Sequence, residues 1–146
     1  MSLRLSLSAA VMLGGLGMVP LAAPAQAGTL PSRENNAGMV MVTATPLDVS
    51  PSAKQWRFAV KLNTHVSPIT QDLAAVSSLS GDQGKAEAPT AWQGTPPGGH
   101  HRSGVLIFPA INPMPQAITL TIREVGAVPE RSFTWTLNEK SAAAGK

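Results

Sequence analysis

The chain contains no cysteine and no tyrosine, and its aromatic content is three Trp and three Phe in 146 residues. Without thiols there is no disulfide framework, no thiolate metal site and no cysteine to carry a lipid anchor. The stability of the fold must then come from an apolar core, and two common nucleophiles are absent. Charge is scarce as well, with 11 Lys plus Arg against 8 Asp plus Glu, and the basic residues are scattered rather than clustered. Such a balance argues against nucleic acid as a partner, and the basic isoelectric point follows from few charges and no phenols. There is no internal repeat, coiled coil or charge run, and no second apolar span follows the one at the N-terminus.

That first span is informative. One arginine, Arg4, precedes an acid-free apolar run over residues 5–21, and Ala25-Gln26-Ala27 supplies a small-x-small pattern. Residues 1–27 read as a secretory signal peptide cut before Gly28, with Gly14, Gly15, Gly17 and Pro20 interrupting any membrane anchor. The expected mature chain is a single domain of 119 residues, periplasmic or secreted, with no membrane span after processing. Residues 28–38 are rich in turn formers and lack apolar periodicity, so they read as a flexible N-terminus, and residues 138–146 read as a flexible polar tail. The folded domain is expected over residues 39–137.

Within that span, period-two alternation dominates. Trp56, Phe58, Val60 and Leu62 share one face of a strand over residues 54–63, while Gln55, Arg57 and Lys61 share the other. Ile118, Leu120 and Ile122 mark another strand, as do Phe133, Trp135 and Leu137, and the short connection between them makes these antiparallel neighbours. A weaker first strand covers residues 39–45, ended or edged by Pro46; Met39 and Met41 read there as packing rather than as soft copper ligands. Residues 69–79 are ambiguous. Ile69, Leu73, Val76 and Leu79 approximate a helical stripe, yet Ser77, Ser78, Ser80 and the turn at 81–84 favour a strand leading into a hairpin. Residues 89–97 read as a loop carrying Trp92, 105–108 as a short buried strand, and 109–116, with three prolines, as a stiff connection. About six or seven short strands between Gly- and Pro-rich turns predict an all-β, antiparallel immunoglobulin-like sandwich, with a small open barrel as the alternative.

The candidate chemistry lies where Gly98 and Gly99 free the backbone ahead of His100 and His101. These two, with His65 at the end of the Trp56 strand, are all the histidines of the chain. Imidazole nitrogen suits Cu or Zn, so His65, His100 and His101 form a candidate transition-metal site. Adjacent residues in extended backbone point to opposite sides, so one of His100 and His101 would join His65, with Asp72, Asp82, Met114 or water completing the shell. The competing reading has the imidazoles hydrogen-bonding to loop groups as architecture, since no specific ligand spacing is present.

The spaced pattern Thr64-His65, then Trp92-x-Gly94-x-Pro96-Pro97-Gly98-Gly99-His100-His101-Arg102-x-Gly104-x-Leu106-x-Phe108, resembles a family of small exported prokaryotic proteins. The resemblance covers residues 42–137 and implies export and a β-sandwich, but no activity. The family carries acidic residues in the Trp-x-Gly-x-Pro segment, where this chain has Gln93 and Thr95, so no carboxylate role is carried over.

Two other function classes compete. A structural or interaction domain would use Trp92 for stacking and Arg102 for an anion on an envelope protein or polysaccharide, unless both are absorbed in packing. An enzyme would rest on Ser103 near His101 with Asp72 or Asp82, but no G-x-S-x-G turn surrounds that serine and no arranged base is announced, so catalysis is not expected.

Overall fold

Alternation of large apolar and polar residues sets two faces for each long strand, and pairing those strands closes a core between two sheets. The computed structural model describes residues 30–137. Its strands are β1 (Arg33–Asn35), β2 (Val40–Asp48), β3 (Gln55–Thr64), β4 (Ser77–Gly81), β5 (Ala86–Glu87), β6 (Ala91–Gly94), β7 (His101–Pro109), β8 (Ala117–Val125) and β9 (Val128–Thr136). One sheet runs in the order β1-β2-β3-β7-β6 and the other β5-β4-β8-β9, all antiparallel.

Setting β1 aside, β2-β3-β7-β6 against β5-β4-β8-β9 reproduces the immunoglobulin order A-B-E-D against C′-C-F-G. The expected sandwich is therefore the observed one, without the disulfide that antibody domains place between the sheets. Side chains fill that space instead: Trp56, Phe58, Val60 and Leu62 of β3 lie in one core with Leu106 and Phe108 of β7, Ile118, Leu120 and Ile122 of β8, and Phe133 and Trp135 of β9. Phe58 sits 5.8 Å edge-on from Phe108 in its own sheet and 5.7 Å from Trp135 in the other.

Several local expectations are corrected. The segment read as a flexible N-terminus pairs Arg33–Asn35 with β2 and continues into a 3-10 turn, Ala37–Met39. Its order comes from residues about a hundred positions away: the Arg131 guanidinium donates to the Ala37 and Val40 carbonyls and to the Asn35 side chain, and the Trp135 indole donates to the Pro31 carbonyl. Pro46 does not end the first strand; it lies buried opposite Phe58 beside a register shift, and β2 runs on to Asp48. Residues 69–79 are not one strand. Asp72 caps a single helical turn, α1 (Leu73–Val76), before β4 begins. Part of the 89–97 loop is strand β6, and β7 starts at His101 rather than at residue 105. Among the described residues nine strands thus replace the expected six or seven, the additions being short edge strands with no periodicity of their own. The antiparallel β8–β9 hairpin is as expected, turning through Gly126 and Ala127 at φ 65° and 57°. The leader at 1–27 and the tail at 138–146 fall outside the described residues.

Candidate functional site

Strands β3 and β7 are neighbours, with Asn63 opposite His101, Leu62 opposite Arg102 and Lys61 opposite Ser103. Alternation therefore sends Arg102 into the sandwich and leaves His101 and Ser103 on its outer surface beside Lys61 and Asn63. His65 follows Asn63 by two positions, at the end of β3, and is exposed like His101. The His65 and His101 rings meet edge to face with centroids 6.4 Å apart. His101 Nδ1 lies 2.8 Å from the Asn63 side-chain oxygen. An amide oxygen only accepts, so the imidazole donates from Nδ1 and its Nε2 carries the free lone pair.

His100 is not brought into this pair. Its backbone carbonyl accepts from the Thr64 N–H at 2.9 Å, which continues the β3–β7 ladder, and the side chain is exposed on its own. The acids expected to complete a shell are engaged elsewhere: Asp72 caps α1 through the Ala74 N–H, and Asp82 accepts from the Gln116 N–H. Met114 lies in the connection between β7 and β8, and that connection leaves β7 at Pro109, eight residues and roughly 26 Å along the strand from His101. Among the described residues no three His, Cys, Asp or Glu side chains are gathered into a metal-binding group.

Arg102 is buried, 2 % exposed, and is not available to an external anion. Its guanidinium donates to the carbonyls of Ile69 (3.3 Å), Gln71 (2.5 Å) and Thr95 (3.2 Å), and stands 5.8 Å from the centre of the Trp92 ring. Desolvation lowers its pKa, with the nearby Asp72 charge acting in the opposite sense. Trp92 is half-buried against the core, and its indole N–H donates to the Thr95 carbonyl at 2.9 Å.

The glycines of the motif explain this arrangement. Gly94 and Gly104 face each other across β6 and β7, and a Cβ on either would come within 2.7–2.8 Å of the Trp92 ring. Two facing glycines thus let the indole lie across the strand pair beneath the guanidinium. Gly98 and Gly99, at φ 109° and 77°, complete the unit by exchanging backbone hydrogen bonds with Ile69. Most of the Trp-x-Gly to Gly104 pattern is therefore structural, and the interaction reading loses its anion-binding residue.

Ser103 is engaged through its backbone, receiving at its carbonyl the Thr95 N–H and donating its own N–H to the Thr95 hydroxyl. Lys61, Asn63, His101, Arg102 and Ser103 line a shallow depression on the outer sheet. Sequence reasoning missed Asn63. Its one signal was the shared parity with His65, and its pairing with His101 depends on the β3–β7 register. No helix of the described residues is long and apolar enough to cross a membrane. No family model, curated protein or solved structure matches the chain.

Proposed function

We propose that this is an exported sandwich protein that binds Cu(II) or Zn(II) through His65 and His101 at one end of the β3–β7 strand pair. The observation that carries the reading is the 6.4 Å approach of the two rings with His101 Nδ1 tied to Asn63. Bonds of about 2.0–2.1 Å from two imidazole nitrogens to one tetrahedral ion set the ring centroids roughly 5 Å apart, so the two exposed rings would turn from their edge-to-face arrangement to share an ion. The Asn63 hydrogen bond is the outer-shell support that orients a ligating imidazole and fixes its tautomer. Two exposed ligands with water completing the shell make an exchangeable site, suited to carrying or buffering an ion rather than to a permanent structural metal. Export rests on the leader read at residues 1–27.

Calorimetric titration of tag-free mature protein with Zn(II) and Cu(II) tests it. His65→Ala and His101→Ala are each expected to weaken binding by about tenfold or more, and Asn63→Leu by about tenfold. His100→Ala should leave affinity unchanged. Protons compete for the same lone pairs, so wild-type affinity falls as the solution is acidified. Wild type without saturable binding below millimolar metal, or an equal loss in His100→Ala, would overturn the reading.

A further inference from the structure

Three of the strands that edge the two sheets are short: β1 spans three residues, β5 two and β6 four, the last running on toward Pro96 and Pro97. The remaining edge is β9, nine residues long, which pairs with β8 on one side and with no strand of the described residues on the other. Just beyond β9 the Leu137 N–H donates to the Gln116 carbonyl. Backbone polar groups alternate in direction along an antiparallel strand, so Trp135, Phe133 and Arg131 turn theirs toward β8, while Thr136, Thr134, Ser132 and Glu130 turn theirs away. Among the described residues the N–H groups of Ser132, Thr134 and Thr136 meet no hydrogen-bond acceptor. Strand β1 does not take that place: the Arg131 and Trp135 side chains reach across to the other sheet, to Asn35 and to the Pro31 carbonyl, without backbone pairing.

An open edge is a template for another strand, and proteins commonly blunt one with lysine, proline or a bulge. Pro129 does so only at the hairpin end; from Ser132 to Thr136 there is no charge, no proline and no shift of register. The edge is also complementary to itself. A two-fold axis through Phe133 sets Ser132 opposite Thr134 of a second copy and Glu130 opposite its Thr136. All outward backbone groups from Glu130 to Thr136 then find partners, hydroxyl faces hydroxyl, and no like charges meet. We propose that the protein self-associates by antiparallel β9 to β9 pairing, which joins two four-stranded sheets into one continuous sheet. The sheet concerned carries neither His65 nor His101, so the proposal is independent of the metal reading.

Sedimentation velocity of mature protein in chelator, from about 10 µM to about 1 mM, tests it at the concentrations a small interface requires. Wild type is expected to pass reversibly from monomer to dimer as concentration rises, and amide exchange at Ser132 and Thr134 to slow in step. The double variants Ser132→Lys/Thr134→Lys and Ser132→Glu/Thr134→Glu each set like charges opposite one another across the axis. Each is expected to associate about tenfold more weakly or not at all, and mixing the two restores association because lysine then faces glutamate. Both positions are exposed and forgo only the Thr134 hydroxyl contact with Thr119; unchanged circular dichroism verifies the fold. Wild type that stays monomeric to about 1 mM overturns the proposal, as does a dimer that forms only without chelator, which would be bridged by metal. A dimer that both double variants form as tightly as wild type, or that mixing fails to restore, overturns it too. If wild type stays monomeric while the Ser132 and Thr134 amides become protected in envelope extract, the edge takes another protein's strand and self-pairing is overturned.

Discussion

Two arginines show at the level of single residues how the sandwich ends are closed. Arg102 ends the inward row Gly104, Leu106, Phe108 of β7, and Arg131 ends the inward row Phe133, Trp135 of β9. Each occupies a position that alternation reserves for an apolar side chain, yet each is buried. No salt bridge to a carboxylate holds either among the described residues; main-chain carbonyls do, and five donors on a planar fork allow one side chain to gather several strands. Burial lowers the Arg131 pKa, and an arginine so placed still remains charged near neutrality. Arg131→Met would leave the carbonyls of Ala37, Val40 and Val125 without that donor. Each buried acceptor so exposed costs about 1–3 kcal/mol, and the expected loss is about 3 kcal/mol or more, read from the denaturation midpoint. Arg131→Lys should rescue little, because an ammonium cannot span the same fork.

Among the elements, β3 is the one whose sequence states its role most plainly. Trp56 is 1 % exposed and donates its indole N–H to the Ser50 carbonyl, while Lys61 lies on the outer surface. Trp56→Ala is expected to cost about 3–5 kcal/mol, and Lys61→Ala to stay within about 0.5 kcal/mol. Equal midpoint shifts for the two variants would mean that the faces are reversed. Strands β8 and β9 were legible for the same reason, that four or five alternating residues leave one choice of buried face. Strand β6 was not. Ala91–Gly94 contains one large apolar residue and a glycine and is followed by two prolines, so locally it reads as a turn. Its extended form is imposed by pairing with β7, where Gly104 makes room for Trp92. The helical turn α1 was concealed in the same way, since a capped four-residue helix carries too few positions to show a period.

For the whole molecule, the ends of β3 and β7 are where an ion would act on the fold. His65 follows β3 and His101 opens β7, so an ion bridging them ties neighbouring strands where fraying would begin. Metal binding to the native state alone stabilises by about 2.7 kcal/mol at a hundredfold excess over the dissociation constant. Wild type should therefore melt higher in Zn(II) or Cu(II), and His101→Ala should lose that increment without losing its metal-free midpoint. A midpoint rise that persists in His101→Ala would place the ion elsewhere.

What the amino-acid order determined alone was the class of fold: period-two patterning in β3, β8 and β9, punctuated by glycine and proline, leaves an antiparallel sandwich as the way to bury those faces. It also named the histidines, because three imidazoles in two short stretches are visible without coordinates. Which of them meet, and what supports them, was decided only by tertiary structure. Parity separates His100 from His101, and register sets Asn63 opposite His101. The same pairing that carries His101 outward carries Arg102 inward, where three carbonyls and an indole occupy its guanidinium, as the packing alternative had it. A cross-strand register is a relation between segments dozens of residues apart, and local composition does not contain it.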